Sequence, residues 1–193
     1  AEDGGCVQMY SGEATISGGE IKNCQATKNG GAIYIAGGNF YANGGLIYNN
    51  KAESGAAVYI ADGTFEMQNG SIKNNEATLN GAGIAIGGSG SFTMSGGSIN
   101  NNISVNGNGG GIYVASGNIT MNNGNIESNE AVNGGGFYLT EGSFEIKNGS
   151  LISKNKAQNG GGGYLLGGTF NLTGGTTSKN IATNSGGGYY IVD

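Results

Sequence analysis

The feature that most constrains this chain is an internal period of about 26 residues. Set out from its glycine pairs, the sequence runs GGCVQMYSGEATISGGEIKNCQATKN, then GGAIYIAGGNFYANGGLIYNNKAES, then GAAVYIADGTFEMQNGSIKNNEATLN, and the rest follows in register. Units begin at Gly4, Gly30, Gly55, Gly81, Gly109, Gly134, Gly160 and Gly186, in steps of 25 to 28 residues, which makes seven full units and the start of an eighth. Self-similarity at this period is the mark of a repeat architecture, in which each unit buries its apolar face against its neighbours rather than within itself.

Within a unit, three short segments alternate apolar and polar residues and each ends at a glycine-bearing turn, which predicts three strands per repeat. The first carries Ile33 and Ile35 around Tyr34. The second carries Phe40 and Ala42, matched later by Phe65 and Met67, Phe92 and Met94, Ile119 and Met121, Phe144 and Ile146, and Phe170 and Leu172. The third carries Ile47, matched by Ile21, Ile72, Ile99 and Ile126. Period two puts these positions on one face of each strand. Stacking equivalent strands in parallel would align them into one long core, so the expected fold is all-β. It is a right-handed parallel β-helix (β-solenoid) with three strands per coil, about seven and a third coils, in a single domain over residues 1–193. At about 4.8 Å per coil the rod would be roughly 35 Å long, and right-handedness is the general preference of parallel crossovers. A sandwich or propeller would need antiparallel hairpins, and one period is too short for a four-stranded blade.

Two kinds of column follow from the period. Glycines recur after the first strand, at Gly12, Gly38, Gly63, Gly90, Gly117, Gly142 and Gly168, and after the second, where Asn43-Gly44 and Asn69-Gly70 are dipeptides that accept positive φ cheaply. Asparagines recur after the third, at Asn50, Asn75, Asn102, Asn129, Asn155 and Asn180, with Cys24 in the equivalent place of the first unit. Their amides are expected to bond up and down the rod as a structural ladder, ahead of any ligand role. The chain has no proline, which would delete ladder donors.

Composition narrows the chemistry. Glycine is 43 of 193 residues, yet 36% of residues are hydrophobic and only 11% charged, which favours a core over disorder. There is no histidine, and all eight basic residues are lysine. The commonest general base and metal ligand is therefore missing, and so is the residue that clamps phosphate bidentately. A net charge of −5 argues against nucleic acid, and no apolar run suits membrane insertion. No cofactor is implied.

The pairing of GGAI at Gly30 to Ile33 with a following apolar-x-x-Asn resembles polymorphic outer-membrane proteins and adhesin-like autotransporter passengers, whose β-helical repeats carry GGA(I/L/V) and FxxN. The first motif recurs as GGGI at Gly109 to Ile112 and GGGF at Gly134 to Phe137. The second appears as Ile47 to Asn50, Ile72 to Asn75, Ile99 to Asn102 and Ile126 to Asn129, with isoleucine where the family has phenylalanine. The resemblance implies a surface-exposed adhesive or structural passenger.

An enzyme on this scaffold would need clustered carboxylates. The aspartates are only Asp3, Asp62 and Asp193. Glu66 and Glu145 share a column three coils apart, roughly 14 Å by strand spacing, whereas a glycosidic pair needs about 5 to 10 Å. The chain is therefore read as non-enzymatic. The strongest outward feature is a tyrosine column, Tyr34, Tyr59, Tyr113, Tyr138, Tyr164 and Tyr190, interrupted by Ala85 and preceded by Gln8. Such a ladder would suit a carbohydrate-binding module stacking on sugar rings, and its plainer explanation is aromatic self-stacking along a parallel sheet. An alternative is an ice-binding protein using the middle strand's outward face, Thr15 and Ser17, Tyr41 and Asn43, Thr93 and Ser95, Thr120 and Asn122, and Asn171 and Thr173, although Glu66, Gln68, Glu145 and Lys147 break the array.

Cys6 and Cys24 lie in the first coil, near the start of its first strand and the end of its third, and are expected to form a disulfide, implying export; two reduced core thiols are the alternative. Sequons at Asn69, Asn102, Asn118, Asn148 and Asn171 would permit glycans on a secreted chain. The eighth unit holds one strand, GGGYYIVD, so a second copy turned by a third of a revolution could continue the spiral. The expected setting is extracellular or cell-surface. The expected partners are further copies joined end to end, or a host or cell-surface glycan or protein.

Overall fold

Each alternating segment becomes a strand of three or four residues, and each strand pairs in parallel with its equivalent one coil away. The computed structural model describes residues 1–192; Asp193 lies outside the described residues. Eight first strands, from Val7–Met9 to Tyr189–Ile191, make one sheet. Seven second strands, Glu13–Ile16 to Thr169–Leu172, make another, and seven third strands, Glu20–Lys22 to Thr176–Ser178, the next. The chain is thus a β-solenoid of about seven turns of roughly 26 residues.

The structure adds a short fourth segment to most coils. It pairs Lys51–Ala52, Glu76–Ala77 and Ile103–Ser104 in one ladder and Lys156–Asn159 with Ile181–Ser185 in another, with single bridges at Gln25, Glu130 and their neighbours between them. Two residues are too few for alternation to register in the sequence. The inward residue of this segment is usually alanine, and Ala26, Ala52, Ala56, Ala77 and Ala82 form a separate small core beneath it.

The main core is where the first three sheets meet. Ile33, Ile35, Val58 and Ile60 of the first sheet face Phe65, Met67, Phe92 and Met94 of the second and Ile47, Ile72 and Ile99 of the third, all buried in one cluster. Phe65 and Phe92 stack with centroids 5.4 Å apart. Each such side chain contributes about 2 kcal/mol relative to exposure, and because the columns are in register the benefit repeats at every coil.

The coil that starts at Gly81 is the longest, and both extra residues sit in corners. Ile60 pairs with Ile86, yet Thr64 pairs with Ser91, so one residue is absorbed by Gly87–Gly90. The other is absorbed between Ser104 and Gly109, before the ladder resumes at Ile84 against Ile112. The strands therefore keep register across a length change.

Corner geometry follows the glycines only in part. At Asn69-Gly70 the glycine itself is left-handed, with φ +97°, but in Asn43-Gly44-Gly45 the left-handed residue is Gly45, at +84°. The corner before the asparagine column uses non-glycine residues instead, including Asn49, Asn74 and Asn101 at φ 53° to 55°. Asparagine is among the few side chains that tolerate this region.

Candidate functional site

The asparagine column is a continuous amide ladder inside the wall. Asn50 donates its backbone N–H and its Nδ2 to Asn75 Oδ1 at 3.0 and 2.9 Å. The same double contact links Asn75 to Asn102, Asn102 to Asn129, Asn129 to Asn155, and Asn155 to Asn180. The other Nδ2 hydrogen reaches a carbonyl, such as Ile72 O from Asn102 at 3.1 Å. At the first coil the Cys24 backbone N–H donates to Asn50 Oδ1 at 2.9 Å. With Asn50, Asn75, Asn102, Asn129 and Asn155 buried, their amide groups are engaged within the wall rather than presented to a ligand. Asn102 is fully buried, so its sequon is closed in the folded chain, whereas Asn69, Asn118, Asn148 and Asn171 are exposed.

A second asparagine ladder, which the column after the third strand does not include, runs at the coil starts. Asn159 donates to Asn133 Oδ1 at 2.9 Å, Asn133 to Asn108 Oδ1 at 3.0 Å, and the Asn108 backbone N–H to Asn80 Oδ1 at 3.0 Å. The signal was available: these residues immediately precede the coil-starting glycines Gly81, Gly109, Gly134 and Gly160.

The six tyrosines occupy one column. Tyr34 pairs with Tyr59, Ala85 lies between Tyr59 and Tyr113, and Tyr113, Tyr138, Tyr164 and Tyr190 continue in register. They form two stacks. Tyr34 and Tyr59 lie 5.5 Å apart at 7°, and Tyr138 and Tyr164 lie 4.8 Å apart at 12°. Tyr59 reaches over the Ala85 position, bringing its hydroxyl so near Gly87 that a Cβ added there would lie 1.8 Å from the hydroxyl oxygen. Stacked rings use their faces on each other and turn edges and hydroxyls outward. Tyr138, with a neighbour on each side, is only 8% exposed. Desolvation pushes the Tyr34, Tyr59 and Tyr138 phenols above their ordinary value, so they are neutral donors at physiological pH.

On the second face, hydroxyls and amides bond to one another along the rod. Thr64 Oγ1 donates to Asn39 Oδ1 at 2.6 Å and Ser143 Oγ to Asn118 Oδ1 at 2.7 Å. Thr93 and Thr120 are in register, and Glu145 pairs with Lys147 at 3.2 Å beyond them. The third face carries a charged group around Tyr48, with Lys22 and Lys73 ammoniums 5.5 and 5.8 Å from its ring centre. Glu20 hydrogen-bonds Lys22, which lowers the carboxylate's affinity for a proton and raises that of the amine. Equivalent outward positions in consecutive units carry Lys22, Tyr48 and Lys73, a pattern the sequence already held.

Cys6 and Cys24 are bonded as a disulfide, with their Cα atoms 5.6 Å apart. A shallow open groove of about 400 Å³ runs over the short fourth segment between Ile103 and Thr183. Among the described residues no three His, Cys, Asp or Glu side chains gather as a metal site, and no helix is long and apolar enough to cross a membrane. Comparison with models of protein families, with curated proteins and with solved structures found no match for this chain.

Proposed function

We propose that this chain is a non-enzymatic, extracellular structural and adhesive module: a stiff rod that holds a surface away from its base or joins further copies end to end. The continuity of the amide ladder from Cys24 to Asn180 carries this reading, because a buried bond set that ties each coil to the next resists bending and local opening. The disulfide supports export to an oxidising compartment. The likeness of the GGAI and Ile-x-x-Asn repeats to adhesin-like passengers points the same way.

A second reading, glycan recognition, draws on the tyrosine column. Since the ring faces are already stacked, it would work through the row of phenol hydroxyls along an extended polysaccharide, not through ring-on-ring stacking. Electron microscopy, sedimentation and bead adhesion test both readings. Rods that lengthen with concentration, or coated beads held by cells, support the structural and adhesive reading. Adhesion lost in a Tyr113→Ser/Tyr138→Ser variant that still folds assigns it to the column. A monodisperse monomer whose beads adhere to nothing defeats both, as would cleavage of a polysaccharide by the pure chain.

A further inference from the structure

The chain contains ten Asn-Gly dipeptides, the sequence in which a side-chain amide is least hindered from attack by the next backbone nitrogen. The fold sorts them into chemically different groups. At the coil starts, the glycine N–H is committed to the ladder: Gly81 donates to Asn108 O at 3.0 Å, Gly134 to Asn159 O at 2.9 Å and Gly160 to Ser185 O at 2.9 Å. The asparagines before Gly134 and Gly160 are further held by their own side-chain ladder. At the corner between the second and third strands the arrangement is reversed in two of the four Asn-Gly dipeptides, Asn69-Gly70 and Asn123-Gly124, and not in Asn43-Gly44 or Asn148-Gly149. The Gly70 N–H turns to the side chain of the residue before it and meets Asn69 Oδ1 at 2.9 Å, and Gly124 meets Asn123 Oδ1 at 2.7 Å. Asn69 and Asn123 are both exposed, so water reaches the amide.

We infer that Asn69 and Asn123 are selective sites of spontaneous deamidation in the folded protein. Once deprotonated, the glycine nitrogen attacks Asn Cγ and closes a five-membered succinimide. The N–Cγ bond forms, the Cγ–Nδ2 bond breaks, and ammonia leaves. Water then opens the ring at either carbonyl to give aspartate or isoaspartate. Each event adds one negative charge to a chain of net charge −5. Isoaspartate also inserts a methylene into the backbone at a corner held on both sides, where Asn69 N donates to Ala42 O at 3.3 Å and Ser71 N to Gly45 O at 3.0 Å. The corner therefore ages first, while the ladder asparagines are protected by the bonds that hold the coils together.

The test is peptide mapping of the intact chain after incubation in mildly alkaline buffer, scoring a one-unit mass gain, with isoaspartate counted by an isoaspartyl methyltransferase. The expected result is conversion at Asn69 and Asn123 at least roughly tenfold faster than at Asn133 and Asn159, a difference that disappears in denaturant, where ladder protection is lost. An Asn69→Gln variant should lose the signal at its own peptide and keep it at Asn123. Equal rates across the columns in the folded chain, or no conversion at Asn69 and Asn123 while other Asn-Gly pairs react, would overturn the inference.

Discussion

The side-chain amide of Asn102 donates to Asn129 Oδ1 at 3.0 Å, and the same oxygen accepts the Asn102 backbone N–H at 3.0 Å. One acceptor thus satisfies two donors of the coil beside it, in a place water does not reach. Replacing Asn102 with alanine removes the acceptor for Asn75 N and Nδ2 and the donor for Ile72 O. Buried groups left unpaired cost about 1–3 kcal/mol each, so Asn102→Ala should lose about 3 kcal/mol or more. Asn180 at the last rung accepts the same two donors from Asn155 and donates to Ile152 O at 3.0 Å, but it is only half-buried, so water can partly replace these bonds and its alanine variant should lose less, about 1–2 kcal/mol. Urea unfolding midpoints of the two variants check the order; a negligible loss for Asn102→Ala would mean that the ladder is not a stabilising element.

Glycine substitutions should separate close approach from simple flexibility. A Cβ on Gly136 would lie 2.3 Å from Gly162 O in the next coil, a backbone atom that cannot step aside without moving the ladder. Overpacking of this kind costs about 1–3 kcal/mol or more, so Gly136→Ala should sharply destabilise the rod or prevent folding. At Gly18 the added methyl meets nothing within 4 Å, and the residue has no left-handed φ. Gly18→Ala should be neutral or stabilise by about 0.4–1 kcal/mol through the unfolded chain. Thermal melts of both variants are the measurement.

Much of this architecture was legible in advance because its signals are periodic. Alternation placed Ile33, Phe40 and Ile47 on inward faces, and equal spacing placed Asn50 over Asn75. What escaped had no period to reveal it. The fourth segment offers only pairs such as Glu76–Ala77, too short to alternate. The tyrosine column was visible as a register, but its use was not: whether a ring faces solvent or its neighbour depends on side-chain rotation, and Tyr59, whose neighbour Ala85 has no ring to stack on, brings its hydroxyl over Gly87. Likewise, a glycine pair marks a corner without saying which member turns left-handed, and in Gly44-Gly45 it is the second.

The tyrosines also set an alkaline limit to stability. Desolvation raises the phenols of Tyr34, Tyr59, Tyr138 and Tyr189 above their ordinary value near 10 in the folded chain. In the unfolded chain they ionise at the ordinary value, so unfolding releases protons once the pH passes it. Stability from this source is therefore complete below about pH 10 and falls as the pH rises through the folded values. Absorbance titration of phenolate should show a late component in the native protein that merges with the rest in urea. A single component at the ordinary value in both states would show that the stacks are open to water.

The disulfide should act on one coil. It joins Cys6 to Cys24 across 18 residues and closes a loop confined to the first coil. Closing a loop of this size is worth about 3 kcal/mol by restricting the unfolded chain, but a solenoid distributes stability by neighbours, so the gain is local. On reduction, amide protection should drop between Gly4 and Asn29, where Gly4 and Gly5 donate to Asn29 O and Gly30 O at 3.0 Å. Protection in coils beyond Gly55 should stay as it was. Hydrogen exchange with and without reductant reads this directly, and alkylation before and after reduction should differ in mass by two adducts. Loss of protection along the whole rod would mean that its coils unfold as a single unit, whereas no change even in the first coil would mean that the amide ladder, starting at Cys24 N, is enough to close that end.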